Sequence, residues 1–304
     1  MKKLVWLGLL GLLSGPLWAI ELPGPLVDGE WLVENRDAVV VLDVRKEVGT
    51  FTQGHIPGAV LVDVTRIRTE REIEGKKLTR MRPDPANFEQ FMRNHGVNDD
   101  SIVVISHPGD QPGQVAGAAR LYWHLKYFGF DRAALLDGGN RAWVEALEDL
   151  ATENATVSPG NYRAGKERPE ILATMAQVRA ALDDDSVSVI DTRDLRQHIG
   201  LKKKDYVFAA GHIPGSDPMP YKFLHHEKGS TRFLEAEAYT SLLDTLRIDA
   251  AGGLIVYCNS AYEASSTWFV LHELLGLEDV RLYDGSLHQW TQYASNPMAT
   301  RLTQ

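Results

Sequence analysis

The chain has 304 residues, 44% of them hydrophobic, with 41 acidic side chains against 32 basic ones and a formal net charge of −9. Such an acidic chain is by default a poor binder of nucleic acid or of an anionic membrane surface, and its length suggests two domains of ordinary size. A single cysteine, Cys258, excludes an intramolecular disulfide and a zinc site built on several cysteines.

Residues 1–19 read as a secretory signal peptide. Lys2 and Lys3 supply the basic start, Leu4 to Leu13 the apolar core and Gly15-Pro16 the break, with cleavage expected after Ala19. The apolar core is shorter than the roughly 20 residues of a spanning helix. The expectation is therefore an exported, periplasmic protein with no membrane anchor once the signal is removed. In an exported chain a lone thiol is either incidental or used.

Beyond the signal, strand-like and helix-like segments alternate. Ala38–Leu42, Ser101–Ile105 and Ala133–Leu136 read as strands, and Ala116–Tyr127 as a helix closed by Gly129. Further on, Ser186–Ile190, Leu254–Tyr257 and Val280–Tyr283 read as strands, and Thr174–Leu182 and Ala236–Leu246 as helices. This order predicts an α/β fold, with a doubly wound, mainly parallel sheet flanked by helices in each half. The polar stretch from Ala151 to Pro169 holds Pro159-Gly160 and reads as a connector. It divides an N-terminal domain over residues 20–163 from a C-terminal domain over residues 164–304.

Three phrases occur twice in the same order. Val41-Leu-Asp43-Val-Arg45 is echoed by Val189-Ile-Asp191-Thr-Arg193, and Gly54-His-Ile-Pro-Gly58 by Gly211-His-Ile-Pro-Gly215. Leu136-Asp-Gly-Gly139 with Trp143 is echoed by Tyr283-Asp-Gly-Ser286 with Trp290. The chain is thus a tandem repeat of one unit, with a period too long for a solenoid. His55 and His212 read as structural members of tight turns, and the Asp/Arg pairs as partly buried ion pairs. Asp137 and Asp284 read as turn or cap residues, and His225-His226 as a solvated pair. The charge runs Glu70–Arg80 and Lys202–Asp205 read as solvated loops.

Cys258 ends the strand Leu254–Tyr257, and helical spacing starts at Ala264, with Gly276 as its stop. A thiol at the carboxyl end of such a strand lies where parallel sheets bind ligands. Amides in the following loop are expected to lower its pKa.

Together these phrases resemble the rhodanese superfamily, specifically its tandem-domain sulfurtransferases, over nearly all of the chain beyond the signal. The resemblance implies a non-catalytic N-terminal copy, with Ser106 in the cysteine's place, and a catalytic C-terminal copy. It implies transfer of sulfane sulfur from an anionic donor, thiosulfate or 3-mercaptopyruvate, to cyanide or a thiol through a persulfide on Cys258, in two half-reactions. No metal or organic cofactor is implied. The partners are these small molecules, with a protein sulfur acceptor as a further option, and the chain is expected to be a monomer. The cradle falls on Asn259, Ser260, Ala261, Tyr262, Glu263 and Ala264. Ala261 replaces the family's usual loop glycine, and Glu263 brings a negative charge. Gln197 holds the position of a donor-binding arginine. Arg196, Gln197 and Lys202 to Lys204 are the candidate donor contacts or compensating charges. These departures motivate an alternative, a persulfide carrier for a partner protein. A phosphatase of the Cys-x5-Arg type would need an arginine where Ala264 stands. A non-catalytic interaction protein with an inert Cys258 is the remaining reading.

Overall fold

The computed structural model describes residues 20–226 and 228–300. The signal peptide expected at residues 1–19 lies outside them. The strands in chain order are β1 (Leu26–Val27), β2 (Val40–Arg45), β3 (Val60–Asp63), β4 (Thr69–Ile73), β5 (Lys76–Met81), β6 (Val103–Ser106) and β7 (Ala133–Leu136), then β8 (Leu172–Ala173), β9 (Val187–Asp191), β10 (Asp217–Pro218), β11 (Gly253–Tyr257) and β12 (Val280–Tyr283). The helices are α1 (Gly29–Asn35), α2 (Pro85–Asn94), α3 (Pro112–Tyr127), α4 (Gly139–Glu145), α5 (Met175–Ala180), α6 (Leu195–His198), α7 (Ala236–Leu246), α8 (Ala264–Trp268) and α9 (Ser286–Trp290).

Two five-stranded sheets form, in the orders β1-β7-β6-β2-β3 and β8-β12-β11-β9-β10, and every pairing within them is parallel. The two orders match strand for strand, which is the structural form of the repeated phrases. β2 and β9 each run on through their aspartate, and β2 reaches Arg45, further than the apolar run alone predicted. The polar residues can stay at the strand end because they satisfy one another. Arg45 Nη2 meets Asp43 Oδ2 at 2.8 Å and Arg193 Nη2 meets Asp191 Oδ2 at 2.6 Å, both pairs buried. Buried charge is tolerated where it is paired and hydrogen-bonded in this way.

The histidines of the two Gly-His-Ile-Pro-Gly turns are fixed by ring stacking and carbonyls. His55 stacks on Phe51 at 3.6 Å and bonds its carbonyl through Nδ1 at 2.8 Å. His212 stacks on His198 at 3.8 Å and bonds the His198 carbonyl.

One apolar cluster joins the two domains. It includes Leu42, Val44 and Ile105 of the first sheet, Leu254 and Val256 of the second, and the facing helices α3 and α8. Tyr122 on α3 meets Phe269 edge-on at 4.9 Å. Separate clusters cover the outer face of each sheet. α8 runs on as a π-helical turn over Phe269–Leu274, and Gly276, at φ +68°, follows it in the left-handed region. The charge run at Glu70–Arg80 is not a solvated loop. Most of it forms the antiparallel hairpin β4–β5, and the return strand carries Thr79 and Arg80 against the second domain.

Candidate active site

Cys258 follows directly on β11, the central strand of the second sheet, and is fully buried at 0% exposure. Its loop is bolted down from the Asp-Gly-Ser phrase. Ser286 Oγ accepts the amides of Cys258 at 3.2 Å and Ala261 at 3.0 Å, and donates to the Tyr283 carbonyl at 2.9 Å. The Leu287 amide donates to the Cys258 carbonyl at 3.2 Å, and the His288 amide to that of Asn259 at 2.9 Å. Ala261 adopts φ +55°, the conformation that glycine would hold without strain, and Ser265 Oγ donates to its carbonyl at 2.7 Å.

The equivalent place in the first domain belongs to His107. Asp43 pairs with Ser106, while Asp191 pairs with Tyr257, so the residue after Ser106 matches Cys258. The Asn140 amide donates to the His107 carbonyl at 2.7 Å, as the Leu287 amide does to that of Cys258. The expectation of Ser106 there was one residue early, because sequence spacing alone does not fix strand register.

The candidate cradle residues separate into distinct roles. The amides of Ser260 and Ala264 hydrogen-bond the thiol. Asn259 Nδ2 donates to Gln197 Oε1 at 3.0 Å, and Gln197 Nε2 to Asp194 Oδ2 at 2.7 Å. Gln197 is thus a buried brace for the loop. Tyr262 points away, its hydroxyl donating to the Gly113 carbonyl in the first domain at 3.0 Å. Glu263 hydrogen-bonds the thiol and adds negative charge beside it. Arg196 and Lys202 to Lys204 are exposed, outside the buried surroundings of Cys258.

The positive charge comes instead from the first domain. Arg68, directly before β4, reaches Ser260 Oγ with Nη1 at 3.4 Å and lies over the Tyr262 ring at 5.2 Å. Its Nε is buried without a partner among the described residues. Arg80 lies over the Tyr206 ring at 4.2 Å, and the Tyr206 hydroxyl bonds Ser260. Burial first, then the nearby Arg120 and Arg80, lower the Arg68 pKa. An unpaired buried N–H beside like charges favours the arrival of an anion. Sequence reasoning missed Arg68, Arg80, Tyr206 and Ser286. Arg80 stood in a run that reads as solvent-exposed, and Arg68 carries no motif.

The thiol pKa moves opposite to expectation. Burial pushes it up to about 12, with the Glu263 charge as the next cause, and the bonds from the Ala264 and Ser260 amides only partly oppose this. Desolvation disfavours the charged form, and two amides in a dry site do not outweigh it.

Two further readings change. Asp284 is not a simple turn residue: it accepts the Arg120 guanidinium and, at 2.9 Å, the Arg82 amide, both from the other domain. Asp137 mirrors it, accepting the Phe233 amide at 2.9 Å. His225 is buried, its ring against that of Phe233 at 4.8 Å. A cavity of about 610 Å3 lies at the matching end of the first sheet, lined by Lys46, Gln111, Asn140, Arg141 and Tyr262 among others. Cys258 does not line it. Among the described residues no group of three or more metal-ligating side chains converges, and no helix is long and apolar enough to cross a membrane.

Comparisons with known proteins bear on the family and the fold. A family model described as Rhodanese-like domain matches residues 28–146 and again 174–293. The sulfur carrier protein TtuD of Thermus thermophilus is 30% identical over 292 residues, covering 91% of this chain and 97% of that protein. A Mycobacterium leprae protein provisionally named thiosulfate sulfurtransferase is 28% identical over 278 residues, covering 89% and 94%. The crystal structure of the anaerobic ergothioneine biosynthesis enzyme from Chlorobium limicola aligns with a TM-score of 0.78 at 22% identity, over 92% of this chain and 71% of that one. At that identity the likeness shows the fold.

Proposed function

The chain belongs to the rhodanese-like family, with two such domains in tandem, and from that premise we propose that it moves sulfane sulfur from an anionic donor, thiosulfate or 3-mercaptopyruvate, to cyanide or a thiol. The carrier of the sulfur is a persulfide on Cys258. The observation that carries this reading is the surroundings of the lone thiol. It follows the central strand and takes two loop amides, and from the other domain Arg68 reaches the adjacent Ser260 while Arg80 lies over Tyr206.

The thiol rests protonated, so the first step is loss of its proton to the Glu263 carboxylate that already bonds it. Neutralising Glu263 also removes the charge that opposes the thiolate. The thiolate then attacks the outer sulfur of the donor. For thiosulfate, the S–S bond breaks and sulfite leaves with the electron pair, its charge met by the arginines; for 3-mercaptopyruvate, the C–S bond to its one sulfur breaks and pyruvate leaves as its enolate, which takes the proton held on Glu263. In the second half-reaction the acceptor attacks the outer persulfide sulfur and Cys258 departs as thiolate, which after thiosulfate takes its proton back from Glu263. Cyanide leaves as thiocyanate.

Full burial of Cys258 and a thiol near 12 support a second reading, a persulfide carrier that turns over small donors slowly. Intact-protein mass after incubation with thiosulfate and, separately, 3-mercaptopyruvate tests both. A gain of one sulfur atom that cyanide removes, absent in Cys258→Ser, is the expected result. Brisk steady-state turnover with a small donor would exclude the carrier reading. No gain on a reactive thiol with either donor would overturn the enzymatic one. The signal-like residues 1–19 support a periplasmic location, and recovery of the chain in the cytoplasmic fraction at full length would overturn it.

A further inference from the structure

Eight large hydrophobic side chains are exposed among the described residues, and four of them, Leu195, Leu201, Phe208 and Phe223, lie on the segments that enclose Cys258. Leu195 opens α6, whose Gln197 braces Asn259. Leu201 and Phe208 flank Tyr206, whose hydroxyl bonds Ser260. Phe223 follows Tyr221, whose phenol lies in the field of Glu263 and Cys258 and whose amide donates to the Thr192 carbonyl at 2.9 Å. Each is about half exposed or more. The link shared by this apolar set is that each member lies on a segment tied to the Cys258 loop.

Cations are interleaved with it. Lys202, Lys203 and Lys204 fall between Leu201 and Phe208, and all three are exposed. Lys202 acts on Asp194, which holds Gln197, so the run stands close to the braced loop. This concentration of positive charge occurs on a chain whose net charge is −9. It lies outside the buried ring around Cys258, where Arg68 and Arg80 already meet a small donor. Cyanide or thiosulfate has no apolar surface with which to cover Phe208 or Leu201.

We propose that this face docks an acidic protein that accepts the sulfur from Cys258. The inference rests on the persulfide reading above. The acceptor's thiolate attacks the outer sulfur, the S–S bond breaks, Cys258 leaves as thiolate and the acceptor carries the new persulfide. No oxidant or reductant is consumed. The lysines steer the acidic partner, and the apolar side chains hold it.

The test uses the full mature chain, loaded with thiosulfate and checked by mass for one added sulfur. Discharge is then timed against cysteine-containing peptides of equal length, one glutamate-rich and one lysine-rich, and against cyanide. The acidic peptide is expected to discharge the persulfide at least about ten-fold faster than the basic one. The charge reversal K203E/K204E, which spares Lys202 beside Asp194, is expected to abolish that preference, and F208S to slow the acidic peptide, with cyanide discharge unchanged in both. Equal rates for the two peptides, or a preference that survives charge reversal, would overturn the proposal. So would equal slowing of thiosulfate loading, which would make the lysines steering groups for small anions. A chain that takes up no sulfur defeats the persulfide reading instead. Docking is then judged by fluorescence anisotropy with the acidic peptide bearing serine for cysteine. Binding at least about ten-fold weaker in the charge reversal upholds docking, and equal binding overturns it.

Discussion

At Cys258 two sets of neighbours oppose each other. The amides of Ser260 and Ala264 favour the thiolate, while burial and Glu263 hold the proton on sulfur. Glu263 is the only one of these that a single isosteric change can alter. Glu263→Gln removes its charge and keeps its shape, so the thiol pKa is expected to fall from about 12 by about a unit. Ultraviolet thiolate absorbance against pH reads this directly. If Glu263 is also the proton acceptor, the same variant loads sulfur more slowly despite the lower pKa, and the two readouts diverge. A lower pKa with faster loading would leave Glu263 as a repulsive charge only. Arg68 is tested separately. Arg68→Ala removes a buried guanidinium whose charge-assisted bonds to an anion are each worth about 1.5–3 kcal/mol. It is expected to raise KM for thiosulfate by roughly 10- to 100-fold, with partial recovery in Arg68→Lys. An unchanged KM would remove Arg68 from the donor site.

At the scale of elements, the loop after β11 is positioned by its own domain and walled by the other. Asp284, beside the loop-holding Ser286, accepts Arg120 from α3 in a buried ion pair. Asp284→Ala would leave that guanidinium buried and uncompensated, at a cost of about 3–5 kcal/mol. Urea unfolding is expected to show this loss, with partial recovery when Arg120→Met is added. A loss of no more than about 1 kcal/mol would place the pair among weak surface bridges. The central strands and the helix Ala236–Leu246 were legible in the sequence because apolar runs and helical periodicity are local signals. Cys258 was legible because it is alone and stands at a strand end. His107 was misplaced by one residue, since register is a property of the paired strand. Arg68 and Arg80 were illegible as site residues because what gives them a role is the packing of one domain on the other. The thiol's direction of shift failed for a related reason, since burial is not visible in a loop sequence.

The whole molecule is built around a shared interior, in which α3 and α8 pack between the sheets; His124 is buried on α3, and His107 and His225 are buried outside the helices. Burial pushes His107 down to about 3 and His225 down to about 4, and holds His124 well below its usual range. In the unfolded chain each would titrate near 6.5. Above that pH both states are neutral at these sites, and they add no pH dependence. As pH falls below 6.5, the unfolded chain binds protons that the native chain refuses, so stability declines. The slope approaches about 1.4 kcal/mol per pH unit for each histidine. Below about 4 His225 protonates in the native state as well and its share of the slope fades. Asp191 then extends the decline. Its folded pKa is depressed to about 2, so the stability it gives is present above its unfolded value near 3.9 and is lost as pH falls through that lower range. The expected profile is flat from pH 8 to about 6.5 and steepens below it. His225→Gln, which keeps a polar side chain but no titration, should reduce the slope between about pH 6 and pH 5 by one histidine's share, about 1 kcal/mol per pH unit. Urea unfolding free energies for the two chains at those pH values decide it. Parallel profiles would mean that His225 is protonated, or reached by water, in the native interface.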